Sequence, residues 1–165
     1  MIVRFQRERV LQDGVEATQC LNRILDHSYL ALDIGEHCVT EYYETLPGPL
    51  SEEVKSWLTL LLNNGKLRLL PFGNYQNIIR QCRQAGLPNK DHRWVKLCTH
   101  GCVTHLFTDD IDFYDPTVKN GSANQKHRAK IRRRGAMLRL IEREANITIF
   151  CPEHLDDIFP VQEDE

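Results

Sequence analysis

Val103-Thr104-His105-Leu106-Phe107-Thr108-Asp109-Asp110-Ile111-Asp112-Phe113 is the stretch on which the fold turns. Its first five residues form a short apolar run that reads as a buried strand. Asp109, Asp110 and Asp112 follow at once, where such a strand leaves its sheet. In an open α/β sheet that end is where ligands bind. Crowded carboxylates raise one another's cost of ionisation, and a divalent cation relieves it. Hard cations such as Mg²⁺ take oxygen ligands, so the residue type fits. The competing reading is an acidic turn whose Asp side chains accept from nearby backbone N–H groups.

The surrounding chain bounds the class. Its 165 residues suit a single domain with a sizeable core. Hydrophobic residues make up 41% and charged residues 27%, an ordinary globular balance. No apolar run approaches the roughly 18–20 residues that span a bilayer. Arg4, Arg7, Glu8 and Arg9 put charge where a signal peptide needs an apolar segment, so a cytoplasmic protein is expected, with no membrane partner. The net charge of −2 gives no global attraction for nucleic acid, and any such binding needs a local patch. The cysteines at 20, 38, 82, 98, 102 and 151 are scattered in apolar surroundings and read as reduced thiols. Cys98, His100, Cys102 and His105 lie close together, but no second pair at zinc-ligand spacing accompanies them.

Working outward, helices and strands alternate. Helical patterns cover 15–27, 36–46, a stretch capped by Ser51, 74–85 and 91–100. Strand patterns cover 29–34, 66–72, 103–107 and 147–150. A long helical pattern over 125–145 is interrupted at Gly135, and Pro152 fits the first position of a last short helix. The prediction is α/β: a central parallel sheet with helices on both faces.

Two further acids could reach the carboxyl edge of that sheet. Asp91 precedes Trp94 and Val95 by three and four residues and Cys98 by seven, which puts it on the apolar face of its helix. It reads equally well as a helix N-cap or as a first-turn acid favoured by the helix dipole. Glu41 sits opposite a stripe of Val39, Tyr42, Tyr43 and Leu46, so an ideal wheel makes it a surface residue. Asp33 ends its strand with no motif around it.

The order of elements and three motifs resemble a PIN-domain nuclease, in the family that includes bacterial toxin nucleases. Thr108-Asp109-Asp110-Ile111-Asp112-Phe113 resembles the family's T-x-D-x-D-F. Asp91-His92-Arg93-Trp94 resembles its D-x-x-hydrophobic helix start, and Glu41-Tyr42 with Leu46 its E-Y-x-x-x-L. The closing strand 147–150 with Pro152-Glu153 fits as well, so the likeness covers most of residues 14–159. The resemblance implies a single PIN-like domain over 1–165. It also implies a metal-dependent endoribonuclease in which Glu41, Asp91 and Asp110, with Asp112, are both catalytic and ligands of Mg²⁺ or Mn²⁺. RNA is then the substrate, an antitoxin protein a partner of the toxin-type members, and a homodimer a further expectation. The alternative from another class is a catalytically inactive PIN-like module that binds RNA or a protein.

One departure stands out. The family opens with an apolar strand ending in Asp-x-Asn, and Ile2-Val3-Arg4-Phe5 stands in that place. Residues 1–13 are therefore expected to hold a truncated or altered first strand, with Arg4 pairing with Asp110 or Asp91. Residues 115–135 read as a polar and basic insertion. Within it Lys126, Arg128, Lys130, Arg132, Arg133 and Arg134 bring six cations into nine residues. Such a run tracks a nucleic-acid backbone or simply forms a solvated helix face; beside an acidic cleft the RNA reading is preferred.

Overall fold

The computed structural model describes residues 16–45 and 49–159. The expectations placed on Arg4 and on the first strand lie outside the described residues.

Helix α1, Glu16–His27, buries Ala17, Cys20, Leu21 and Ile24 along one face, at the three- and four-residue spacing that a helix surface requires. The Lys66 ammonium closes its end by donating to the carbonyls of Leu25 and Asp26. A cation there suits the negative end of the helix dipole. Strand β1, Leu30–Asp33, follows. Asp33 then starts helix α2, His37–Thr45, by accepting from the backbone N–H groups of His37 and Cys38, both at 2.8 Å. Burial pushes the Asp33 carboxyl up, but these donors outweigh it and hold it below its ordinary value. This strand-end acid is accounted for by capping.

Helix α3, Glu52–Asn63, begins at Ser51, whose hydroxyl accepts from the Val54 N–H at 3.3 Å. It packs on α1 through Val54, Trp57 and Leu61, and the Trp57 indole donates to the Leu21 carbonyl at 2.9 Å. Strand β2, Leu67–Leu70, leads to helix α4, Gln76–Gln84. A 3-10 turn at Asn89–Asp91 runs into helix α5, His92–His100, and then strand β3, His105–Phe107. Two more 3-10 turns, Ile111–Phe113 and Pro116–Val118, precede helix α6, Ala123–Arg132. Helix α7, Ala136–Ala145, strand β4, Thr148–Phe150, a 3-10 turn at Pro152–His154 and helix α8, Leu155–Ile158, complete the described chain.

The mixed α/β reading stands, and the observed strands are parallel. They pair two by two: β1 with β2 in the register Leu30 to Leu67, and β3 with β4 in the register His105 to Thr148. Among the described residues no ladder joins the pairs into one sheet. In a parallel strand, successive residues direct their backbone groups to opposite neighbours. Leu30 and Ile34 donate toward β2, which leaves Ala31 on the other edge of β1. Thr104 and Thr108 bond to β4, which leaves His105 and Phe107 on the other edge of β3.

Three clusters of buried side chains form the core. Ile78, Val95, Tyr114, Leu138, Ile141 and Ile149 knit α4, α5 and α7 against β4. Leu21, Trp57, Leu61 and Leu155 join α1, α3 and α8. Leu32, Cys38 and Leu97 bridge β1, α2 and α5. Complete burial of such a side chain contributes about 1.5–3 kcal/mol. Cys20, Cys38, Cys82, Cys98 and Cys151 are buried as free thiols, and Cys102 is exposed.

Candidate metal centre

Three of the four acids expected to act together do meet. Asp91, Asp110 and Asp112 each offer an oxygen within 4.8 Å of the other two. The backbone explains how. Strand β3 ends at Phe107, and the Thr108 hydroxyl accepts from the Asp110 N–H at 3.1 Å. Asp110 is extended, and one of its oxygens accepts from the Asp112 N–H at 3.0 Å. This is the side-chain turn that Asp favours, and it folds Asp112 back beneath Asp110. The phenol of buried Tyr114 donates to the Thr108 carbonyl at 3.0 Å and anchors the base of the turn.

Asp91 arrives from the opposite side, at the start of α5. It makes no side-chain cap for that helix. It does stand at the N-cap position that the alternative gave it, but its carboxylate is turned to the other acids and not to the helix N–H groups. It is 2% exposed, as is Asp112. One oxygen of each, Asp91 Oδ2 and Asp112 Oδ1, is buried without a hydrogen-bond partner. An unsatisfied buried carboxylate oxygen is costly, and natural folds rarely keep one without a reason. Burial, with the nearby charge of Asp110 and smaller contributions from Glu41 and Asp112, pushes the Asp91 carboxyl up to about 7 against the pull of Lys90.

Glu41 takes a different position. Its carboxylate accepts from the Trp94 indole at 2.9 Å and lies 3.6 Å from the Arg93 guanidinium. It is outside the tight trio, though it faces the same side and its charge acts on Asp91. The surface position expected from the wheel is corrected, because Glu41 follows buried Cys38 by three residues and shares its face of α2. That face is turned toward α5, where Arg93 also donates to the His37 carbonyl at 2.8 Å.

Lys119 is a neighbour of the trio that no sequence motif marked. Asp115 caps the Pro116–Val118 turn by accepting from the Thr117 N–H. That turn brings Lys119 back onto Asp112, with Nζ 2.5 Å from Oδ2. The ion pair holds the Lys119 ammonium above its ordinary value. No periodic pattern marks a lysine seven residues beyond its partner in a loop.

The six expected RNA-contacting cations divide into two kinds. Lys130 is largely covered and pairs with Asp109. Arg133 pairs with Glu142 and lies over the Phe150 ring at 4.5 Å. Both hold α6 to the body. Arg128, Arg132 and Arg134 are exposed and Lys126 is half-buried.

Asp91 and Asp110 of the trio open onto a cavity of about 1130 Å³. Glu41, Asp91, Asp109 and Asp110 line one part of it. Ala31, His105 and Phe107, from the edges of β1 and β3 that carry no ladder among the described residues, line another. No protein-family model, curated protein or solved structure matches the chain.

Proposed function

We propose that the chain is a metal-dependent ribonuclease of PIN-like architecture. The observation that carries this is the meeting of Asp91, Asp110 and Asp112, with two buried oxygens that lack a donor. An all-oxygen, carboxylate-rich set suits a hard cation such as Mg²⁺ or Mn²⁺. Asp91, Asp110 and Asp112 would hold such an ion. When bound, it supplies a Lewis acid beside a phosphodiester. Glu41, held by Trp94 and Arg93, flanks the trio as a further acid facing the same cleft. Exposed Arg128, Arg132 and Arg134, on and just beyond α6, supply positive charge for an RNA backbone. Lys130 holds that helix beside the acidic turn through Asp109.

The finer fold reading, one central parallel sheet, draws support from the two edges that carry no ladder among the described residues. Those of β1 and β3 line the same cavity, and both pairs are parallel. One extended strand between them would join the four observed strands into a single sheet with helices on both faces.

A cleavage assay on single-stranded RNA with Mn²⁺ tests the function. The parent should cut, and Asp110→Asn should lose activity by orders of magnitude while still binding RNA. Changing Arg128, Arg132 and Arg134 to Ala should weaken binding and reduce its salt slope by roughly 0.7 per lost phosphate contact. A parent that binds RNA with metal present but never cuts it favours the alternative, an inactive RNA-binding module.

A further inference from the structure

We infer that Lys119 is the resting counter-cation of the acidic centre and leaves Asp112 when a divalent ion binds there. The inference rests on the metal reading of the site and assigns a role to a residue outside the acidic motifs. The Asp112 carboxylate is 3% exposed, whereas the Lys119 side chain is 54% exposed. The ammonium therefore reaches a buried anion from the solvent side, on a stem that is free to swing outward.

Its bond to Asp112 Oδ2 satisfies one oxygen only. Asp112 Oδ1 and Asp91 Oδ2 stay without donors. One ammonium thus meets a trio of carboxylates and leaves their coordination incomplete. A lysine is a compact point charge with flexible reach, the kind of cation that a doubly charged ion can replace. A metal on the free Oδ1 would stand close to the ammonium on Oδ2, where the two cations repel each other and draw on the charge of one carboxylate.

The test measures Mn²⁺ binding by calorimetry on the parent and on Lys119→Met and Lys119→Gln, with circular dichroism as a check on folding. Removing the competitor should tighten Mn²⁺ binding by about tenfold, within the usual range for coupled sites. In the parent, Mn²⁺ should also speed acetylation of Lys119 by an amine-directed reagent. Lys55, paired with Glu52 on the surface of α3, serves as the control. Equal or weaker Mn²⁺ binding by both variants, with Lys119 labelling unchanged by metal, overturns the inference and leaves the metal reading standing. Absence of Mn²⁺ binding to the parent and to both variants overturns the two together.

Discussion

Asp91 is held where a charge is unwelcome. Its folded carboxyl is raised to about 7 from an ordinary value of 3.8. Between those two values the folded state keeps a proton that the unfolded chain has released. By linkage, its contribution makes stability fall as pH rises from about 4 through 7. Asp91→Asn removes that penalty and offers an amide donor to the neighbouring carboxylates. A tenfold difference in proton affinity between the folded and unfolded chain corresponds to about 1.4 kcal/mol. The metal-free variant should therefore melt higher than the parent at pH 8, with a flatter slope between pH 4 and 7. Thermal melts in chelator across that range are the check, and an unchanged slope would mean that the carboxylate is not strained. At this scale the sequence was informative in part. The spacing of Asp91 to Trp94, Val95 and Cys98 correctly faced it inward. The wheel for Glu41 failed because it overlooked Cys38, a fully buried residue three positions before Glu41.

Gly135 governs how the elements meet. A methyl group there would lie 1.9 Å from the Tyr114 carbonyl oxygen, a backbone atom that cannot swing aside. The approach is close because the Leu138 N–H donates to that same carbonyl at 3.2 Å. Arg133, two residues earlier, turns left-handed with φ 48° and ends α6. Gly135→Ala should cost about 2–3 kcal/mol through overpacking. Because Tyr114 anchors the acidic turn through Thr108, the substitution should also weaken Mn²⁺ binding. A denaturant melt and a metal titration on the one variant test both effects; full stability would show that the close approach is dispensable. Most elements were legible because apolar spacing and punctuation agreed, as with Ser51 before α3 and Gly135 between α6 and α7. The pattern at 103–107 overstated β3, which begins at His105. Val103 instead bonds back to the Cys98 carbonyl at the end of α5.

At the scale of the whole molecule, two parallel strand pairs face one cavity with edges that are unpaired among the described residues. Alternation of helix and strand predicted parallel pairing, but pairing partners are set by contacts far apart in the chain, which no local pattern encodes. If one sheet forms, the amides of Ala31 and Phe107 should exchange as slowly as those of Leu30 and Thr108, which are bonded to neighbouring strands. Rapid exchange at Ala31 and Phe107 alone would leave the pairs as separate units. The helices impose a simpler bound: none in the described residues is long and apolar enough to cross a membrane. Everything proposed for function depends on whether the acids at the carboxyl end of β3 hold a metal. A crystal soaked in Mn²⁺ and measured for anomalous scattering decides it. The account predicts one strong peak between Asp91, Asp110 and Asp112, at coordination distances on the order of 2.0–2.6 Å, with Lys119 turned away from Asp112. The contradicting result is a trio without a peak at saturating Mn²⁺, with Lys119 still bonded to Asp112.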